Sequence, residues 1–287
     1  MKKILIRLLA FSLVLFINKT LSAQSFQGKA YYYKKTKMEL GSFGARMSEQ
    51  QKKQIESRLK NRLEKTYLLA FNKEESIYKE IEKLDGISGA TDSWGKNFSP
   101  GKLYKNVKTN TLLQHQEFYG KRFLIKDNLQ SLKWNLGSET KQIGNYTCFK
   151  ATAVVPSSEL EWWSFSWDRL SNIDRTNAQH NDTINKEAES NMDLMDKDNI
   201  QLTQVLAWYS PQIPAAHGPL EYNGLPGLIL EVSAGNTVIL CSKIIYNPDE
   251  KEEIDKPSKG EEVTKKEYQE IVINKMREFR DNRLGRR

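Results

Sequence analysis

The sequence predicts a mainly β protein of the α+β class, with an antiparallel sheet, one short helix in its N-terminal half and one helix at its C-terminus. Short runs rich in β-branched and aromatic residues follow one another between residues 100 and 156, separated by a few turn residues. Helical periodicity appears instead near residue 50 and after residue 263. Because the β runs between residues 100 and 156 follow one another at regular spacing without a helical pattern between them, βαβ units are not expected and the sheet should be antiparallel.

The first 23 residues carry the pattern of a secretory signal peptide, which predicts a periplasmic or secreted protein. A basic start with Lys2 and Arg7 leads into the apolar run Leu8–Ile17, and cleavage is expected after Ala23. A membrane-spanning helix needs about 20 apolar residues, so the run is too short for an anchor and no membrane span is expected after cleavage. Residues 24–287 are then expected to form a single β-rich domain.

The charge pattern argues against nucleic acid as a partner. The full chain carries a net charge of +8. Four basic residues and no acidic ones lie in the signal peptide, so the mature chain carries about +4. Lysine and glutamate are interleaved along the rest of the chain, and a basic block that would bind nucleic acid or a membrane surface is missing. The mild positive charge is interpreted as a solvated surface.

The N-terminal part of the mature chain predicts a strand, a helix and a hairpin. The stretch "FQGKAYYYKKTKM", Phe26–Met38, is rich in β-formers and predicts the first strand. Ser48 and Gln51 form a capping-box pattern for a helix from Ser48 to about Glu64, and this helix should lie on an apolar surface. Its apolar stripe consists of Ile55, Leu59 and Leu63. The runs "TYLLAF" and "SIYKEI" then form a hairpin around 72–74.

The sheet is expected to continue after a Gly- and Ser-rich loop over Asp85–Pro100. Further β runs are "KLYKNVKTN", "TLLQHQEFYG", "KRFLIKD", "SLKWNLG" and "NYTCFKATAVV". The stretch "LEWWSFSW" holds three tryptophans that should pack in the core. After it, residues from about 170 to 200 are polar and lack aromatic residues, which predicts a solvated, mobile insertion.

The C-terminal third predicts three strands and a helix. "TQVLAWYS" forms a strand, and Leu228–Val232 and Thr237–Tyr246 form a hairpin around Gly235. Thr264 and Glu267 form a second capping-box pattern. The helix that follows should dock its apolar stripe on the sheet, and that stripe contains Ile271, Met276 and Phe279.

Two cysteines, Cys148 and Cys241, leave two alternatives open. In an oxidising compartment they could form one disulfide, which a chain-entropy model values at about 4–5 kcal/mol. The other alternative is two buried thiols on separate strands. Strand geometry decides between them, because a disulfide needs neighbouring Cβ atoms.

Catalytic signatures are absent from the sequence, so no catalytic residue, metal site or cofactor is expected. The chain has three histidines, of which His217 alone lies beside a loop of defined shape, with Glu221 four residues later. A histidine with one nearby glutamate is a weak indication of acid–base or metal chemistry, and a structural or surface histidine is the favoured interpretation. A secreted hydrolase that uses His217 and Glu221 is kept as the alternative function.

The stretch "PLEYNGLPGLILEVSAGNT", Pro219–Thr237, joins a Gly- and Pro-rich loop to an apolar strand. In Leu225–Leu228, proline stands at the second and glycine at the third position, which is the composition of a type II turn. The turn would fix the point where an irregular loop enters the core. A structural role for the motif and a binding role for the loop in front of it both remain open.

These motifs also carry a family resemblance. "GLPGLI", residues 224–229, is the signature of the GLPGLI family of Bacteroidota envelope proteins. "ETKQIGNYTCFKA", Glu139–Ala151, and "AWYSPQIP", residues 207–214, are similar to further motifs of that family. The resemblance implies an envelope role, accessory to TonB-dependent uptake, with an outer-membrane receptor as partner. The successive antiparallel strands also resemble the curved, open half-barrels of periplasmic lipoprotein carriers, which is an analogy of fold and not of function.

The leading hypothesis is therefore a non-enzymatic periplasmic or cell-surface protein that binds an apolar or peptide-like ligand or an envelope partner. Aromatic side chains supply contact area at low entropic cost, and prolines keep a loop preorganised. The candidate binding residues are Trp208, Tyr209, Pro214, Gly218, Pro219, Tyr222, Gly224, Leu225, Pro226 and Gly227. A purely structural envelope protein is a further alternative.

Overall fold

The computed structural model describes residues 26–38, 46–81, 97–167, 170–171, 173–175, 201–250 and 252–284. The predicted signal peptide lies outside the described residues. So do His180, most of the loop predicted over Asp85–Pro100, and the predicted insertion beyond residue 175. The prediction of one domain over residues 24–287 stays a prediction.

The described residues form a mostly β structure with one open, 12-stranded sheet, as the sequence predicts. Its strands are β1 (Gln27–Thr36), β2 (Glu64–Asn72), β3 (Glu75–Glu80), β4 (Leu103–Asn106), β5 (Thr111–Phe118), β6 (Lys121–Asn128), β7 (Asn135–Ile143), β8 (Tyr146–Pro156), β9 (Leu202–Ser210), β10 (Leu228–Ala234), β11 (Thr237–Tyr246) and β12 (Glu261–Val263). The strand order is β12-β6-β5-β4-β3-β2-β1-β11-β10-β9-β8-β7, so β12 and β7 form the two edges. Every pair is antiparallel except the parallel pair of β12 and β6.

Local turn chemistry explains the two predicted hairpins. Between β2 and β3, the Asn72 side-chain oxygen accepts hydrogen bonds from the backbone N–H groups of Glu74 and Glu75, at 2.8 and 2.7 Å. This is an Asx turn. Between β10 and β11, Ala234 pairs with Thr237, which leaves a two-residue turn that starts at Gly235 with φ of 54°. A positive φ at this position is what a tight hairpin turn requires.

Three helices accompany the sheet: α1 (Glu49–Leu63), α2 (Ser157–Leu160) and α3 (Lys265–Leu284). Described residues between 167 and 175 are also helical. The predicted capping box at the start of α1 is present, with the Gln51 N–H donating to the Ser48 hydroxyl at 3.3 Å. The second predicted box precedes α3, where the Thr264 N–H donates to the Glu267 carboxylate at 2.7 Å.

One face of the sheet, which we call the inner face, carries the main core. Ala30, Tyr32, Leu69 and Ala207 point to this side and are fully or almost fully buried. Helix α3 covers part of it through Tyr268, Val272 and Met276, which confirms that the C-terminal helix packs on the sheet. The Tyr268 ring meets Phe123 edge-on at 5.4 Å and Trp162 at 5.9 Å between centroids. Such aromatic contacts add to the stabilisation from burial alone.

The opposite, outer face has a smaller cluster of Ala70, Ile77 and Tyr104. Residues 252–260, which we call the strap, lie against this cluster, and Ile254 packs on it. Ion pairs hold the strap in place: Glu252 with Lys79 at 2.5 Å, and Lys256 with Glu75 at 3.3 Å. The strap leads into β12 and α3. The strap thus covers part of the outer face, and α3 covers part of the inner face.

Several local predictions are wrong. The run "SLKWNLG" becomes a strand only from Asn135 onwards. The short strand β12 is not predicted, because its residues Glu261 and Glu262 have the composition of a polar turn. None of the residues of α1 is buried, so this helix does not lie on the core as expected. Residues 170–175 were predicted to be solvated, yet Leu170 is buried, and Asp174 accepts hydrogen bonds from Arg277 and Arg280 at 2.7 and 2.6 Å. Trp162 and Trp163 are core residues as predicted, whereas Trp167 is 45% exposed.

The cysteines are two buried free thiols, which decides against the disulfide alternative. Strands β9 and β10 lie between β8, which carries Cys148, and β11, which carries Cys241. Neighbouring strands are about 4.8 Å apart, so two intervening strands exceed the reach of a disulfide. Each thiol instead donates to a carbonyl two residues away in sequence, Tyr146 for Cys148 and Lys243 for Cys241. Burial raises the pKa of Cys148 to about 11 and that of Cys241 to about 12.

We therefore expect the folded protein to react slowly with a thiol reagent such as Ellman's reagent, because buried thiols with raised pKa values form little thiolate. The unfolded protein should titrate as two thiols per chain without a reductant. A sample reduced first is the control and should give the same count. No titratable thiol in the untreated unfolded protein would show that the cysteines are bonded.

Candidate functional site

The loop that contains most of the candidate binding residues, 211–227, packs on the inner face and is called the connecting loop. Its backbone is bonded to itself and to the start of β10: Gly224 N–H donates to Ala216 O at 3.2 Å, and Ile229 N–H donates to His217 O at 3.0 Å. His217 and Asn223 also form an isolated β-bridge. Residues 217–222 are all buried. The connecting loop is thus part of the core.

The side chain of Lys105, on β4, holds the connecting loop in place. Its Nζ is fully buried and donates to three loop carbonyls, those of Gly218 at 2.7 Å, Leu220 at 2.6 Å and Tyr222 at 3.1 Å. Three acceptors match the three N–H donors of an ammonium group. Burial lowers the pKa of Lys105 to about 7, and the charge of Glu221 acts in the opposite direction. Sequence analysis missed Lys105, because one lysine in a short β run gives no sign that it is buried.

His217 is fully buried, and neither of its ring nitrogens makes a hydrogen bond of ordinary geometry, although the backbone of Asn72 lies near enough to raise its pKa. The ring lies 6.4 Å from that of Phe71, centroid to centroid. Burial lowers the pKa of His217 to about 3, and the charge of Lys105 lowers it further. The imidazole is therefore neutral at any physiological pH. The structure places it as a core residue, as the favoured interpretation predicts.

Glu221 is held by groups from two other segments. Its carboxylate accepts a hydrogen bond from the Trp162 indole N–H at 2.5 Å and pairs with Lys265 Nζ at 2.5 Å. Lys265 is the first residue of α3, so this contact ties the helix to the connecting loop. A further indole N–H, that of Trp134, donates to Asn223 O at 2.9 Å. The Glu221 carboxylate serves these structural contacts, so it is not presented to His217 as an acid–base partner.

The turn at Leu225–Leu228 differs from the predicted type II turn. Gly227 N–H donates to Leu225 O at 2.8 Å, which closes a three-residue γ-turn around Pro226, and Leu228 N–H donates to Ile213 O instead. Gly227 has φ of 156°, far from the value of about 80° in a type II turn. Glycine is needed here because a Cβ atom would lie 2.2 Å from the carbonyl oxygen of Ser210. The motif does join the irregular loop to a buried strand, as predicted.

The candidate binding residues do not converge on a cleft. Tyr209, Gly218, Pro219, Tyr222, Leu225 and Gly227 are buried, whereas Pro214, Gly224 and Pro226 are exposed. Trp208 is half-buried and lies on the outer face, because Ala207 and Tyr209 on either side of it point inward. The expectation that Trp208 and the connecting loop line one site is therefore wrong. The loop packs inward, and the tryptophan points to the other side of the sheet.

A depression beside α3, lined by Trp162, Phe165, Leu170 and Val272 among others, encloses about 10 Å³. That is room for about one water molecule, whereas ligand pockets measure about 300 Å³ or more. Among the described residues, no group of three His, Cys, Asp or Glu side chains could hold a metal ion. In the same part of the chain, no helix has the length and hydropathy to cross a membrane.

On the outer face, Trp208 is half-buried and lies among half-buried and exposed side chains. Two rows of cross-strand neighbours form this part of the outer face. The first row runs across four strands and consists of Leu240, Glu231, Trp208 and Lys150. The adjacent row consists of Val238, Ser233 and Leu206. We call these residues, together with Lys141, the outer patch. Val238 and Leu240 are 43% and 39% exposed. Lys141 pairs with Glu231 at 2.6 Å and lies 5.3 Å from the centroid of the Trp208 ring.

Comparison with known proteins gives a family match over about one third of the chain. A family model described as "Protein of unknown function (Porph_ging)" matches residues 134–231. This range contains both Glu139–Ala151 and the stretch from Trp208 to Gly227. No curated protein matches the sequence.

Two solved structures, of PNGF-II in space groups C2 and P21, show a distant likeness. They are 13% and 12% identical to this chain, with TM-scores of 0.47 and 0.42. The likeness covers 86% and 83% of this chain, but 32% and 31% of the PNGF-II chains. The chain thus spans about a third of the length of these structures.

A first test concerns Gly227. Gly227→Ala should lower the free energy of unfolding by about 3 kcal/mol, because the new Cβ atom would collide with the Ser210 carbonyl. Gly224→Ala is the matched control: Gly224 has φ of 84° and open space around its Cα, so its loss should be about 1 kcal/mol. Urea unfolding measures both. Equal losses would contradict the close approach at Gly227.

A second test concerns His217 and acid stability. The folded state keeps His217 neutral down to about pH 3, whereas the unfolded state takes up the proton near pH 6.5. Stability is therefore lost as the pH falls through this window, by about 1.4 kcal/mol per pH unit from this residue. His217→Gln should flatten the slope of unfolding free energy against pH between about 6.5 and 4.5. An unchanged slope would show that His217 titrates normally in the folded protein.

Proposed function

We propose that this chain is a non-enzymatic protein of the cell envelope that binds a protein partner through the outer patch. The observation that carries the proposal is the contrast between the two faces of the sheet. The connecting loop, Trp162, Trp163 and α3 fill the inner face, whereas the outer patch exposes apolar side chains around a tryptophan. Exposed apolar residues bordered by charged ones are typical of protein–protein contact sites.

The composition of the outer patch favours a macromolecular partner over a small ligand. Trp208 offers a large, half-buried ring, and tryptophan is enriched among residues that dominate binding energy. Lys141, Glu231 and Lys150 surround it with charges of both signs. A flat surface on a sheet cannot enclose a small molecule, but it can pack against another protein. Of the ligands that the sequence suggests, we therefore favour a polypeptide bound at the outer patch over a small apolar molecule.

The envelope location rests on the N-terminal sequence pattern and on the family resemblance. The signal-peptide pattern supports export to the periplasm or cell surface. The GLPGLI resemblance supports membership of a Bacteroidota envelope family and an outer-membrane partner, for which a TonB-dependent receptor is our candidate. A protein accessory to uptake would need a contact surface and no catalytic centre. The outer patch meets that requirement.

A purely structural envelope protein is the second candidate, favoured by the filled inner face. The hydrolase alternative loses its proposed residues, because the Glu221 carboxylate is bound by Trp162 and Lys265 and His217 is enclosed in the core. Binding and purely structural roles differ in what they expect of the outer patch. A binding protein needs it in contact with another molecule, whereas a structural one does not.

Photocrosslinking in cells tests the proposal. A photoreactive benzoylphenylalanine at position 240 should give a covalent adduct with an envelope protein upon irradiation, because Leu240 is exposed and lies in the same row of the outer patch as Trp208, with Glu231 between them. Adding Trp208→Ala should reduce the adduct about tenfold, which corresponds to about 1.4 kcal/mol of binding free energy.

The matched control places the same photoreactive residue at Trp167, an exposed tryptophan outside the outer patch. It should give no adduct of the same size. Thermal melting should show that Trp208→Ala remains folded. A folded protein that gives no adduct at position 240 would argue for the structural candidate.

A further inference from the structure

The two edges of the sheet are protected to very different degrees. At one edge, β12 has three residues, and its two glutamates pair with Lys121 at 2.7 Å and Lys126 at 3.4 Å on the neighbouring strand. At the other edge, β7 has nine residues, and eight of them are exposed. Among the described residues, nothing pairs with its outer side. A long edge strand of this kind presents unpaired N–H and C=O groups that can add another strand.

The hairpin with β8 determines which backbone groups of β7 face outward. Ile143 pairs with Tyr146 across the two-residue turn, and Lys141 pairs with Cys148. In such a hairpin the residues next to the turn exchange hydrogen bonds, and so does every second residue. Gln142 and Thr140 therefore direct their backbone groups away from β8. Residues 137–139 form a bulge and have no paired residues on β8.

The side chains of β7 are self-complementary around Thr140. If two copies of β7 pair in antiparallel fashion with Thr140 on the two-fold axis, Glu139 of each copy faces Lys141 of the other. Within one chain, Glu139 pairs with Lys150 at 2.7 Å and Lys141 pairs with Glu231 at 2.6 Å. Both side chains remain accessible, with Glu139 64% and Lys141 40% exposed. Opposite charges and paired threonines are favourable neighbours across antiparallel strands.

We propose that this protein forms a homodimer in which β7 pairs with β7 of a second copy, with Thr140 on the two-fold axis. A two-fold interface uses the same surface on both partners, as the charge pattern of β7 allows. The two sheets would continue into each other. The contact is small, so we expect a dissociation constant on the order of 10 µM. This inference does not rest on the proposed function, since the purified protein alone tests it.

Sedimentation velocity of the full chain without its signal peptide should show a dimer that dissociates on dilution from about 200 to 1 µM, the range around the expected constant. Glu139→Lys or Lys141→Glu would place like charges opposite each other and should weaken dimerisation at least tenfold. The double variant Glu139→Lys/Lys141→Glu restores opposite charges across the axis and should recover most of the affinity. Recovery would separate a contact between copies from a loss of stability within one chain.

Thr140→Pro tests the backbone pairing, because it removes an outward N–H group, and proline is tolerated in edge strands. It should weaken the dimer at least tenfold, whereas the matched control Thr140→Val keeps the N–H group and should not. Thr140→Cys should allow a short bifunctional maleimide to link two copies, while the native thiols are buried. Glu262→Cys, at the opposite edge, should not be linked.

Three results would overturn the proposal. One is a monomer at all concentrations, which would leave β7 free to pair with a strand of another protein. Another is a dimer that tolerates Thr140→Pro and both charge reversals. The third is a double charge variant that is folded by circular dichroism and dimerises no better than the single variants.

Discussion

The buried ammonium group of Lys105 is the constraint on which the arrangement of the inner face depends. A charge in the core is tolerated only when every donor is satisfied, and leaving such a group unpaired costs about 3–5 kcal/mol. The three carbonyls that satisfy Lys105 belong to Gly218, Leu220 and Tyr222. The connecting loop must therefore keep one conformation, with its carbonyls directed at β4. A loop held this way cannot open to admit a ligand without breaking the three hydrogen bonds from Lys105.

Close packing of the connecting loop around Lys105 follows from the same constraint. A Cβ atom on Gly218 would lie 2.8 Å from the Ile229 side chain, and one on Gly227 would lie within 2.2 Å of the Ser210 carbonyl. The backbone of the loop thus touches β9 and β10 where only glycine fits. Lys265 and Trp162 meet at Glu221, so α3 and the tryptophan segment are fixed to the same loop. Of the two glycines in the "GLPGLI" motif, Gly227 allows this close packing, whereas Gly224 is exposed and supplies a positive φ of 84°.

Much of the fold could be predicted from the sequence, because local patterns decide it. The capping boxes at Ser48 and Thr264, the Asn72 turn and the alternation in β8 are all signals within a few residues. The site could not be predicted in the same way. Whether Trp208 faces a cleft or the outer side depends on the placement of the connecting loop, and that placement depends on Lys105, about a hundred residues away. β12 was missed because its pairing with β6 brings together residues far apart in sequence, and its glutamates resemble a turn.

Among the described residues, the connecting loop, Trp162 and α3 pack on the inner face, so the surfaces proposed for contacts lie on the outer face and at β7. An open sheet whose inner face is free can hold a ligand, but here the connecting loop and α3 pack against that face. The strap covers the outer face over β2 to β4 and stops short of β8 to β10. The uncovered part of the outer face adjoins the unprotected edge β7, and Lys141 belongs to both, since it contacts Trp208 and lies on the edge strand. A partner on the outer patch and a second copy at β7 would therefore meet at Lys141, so occupation of one surface would alter the electrostatics of the other.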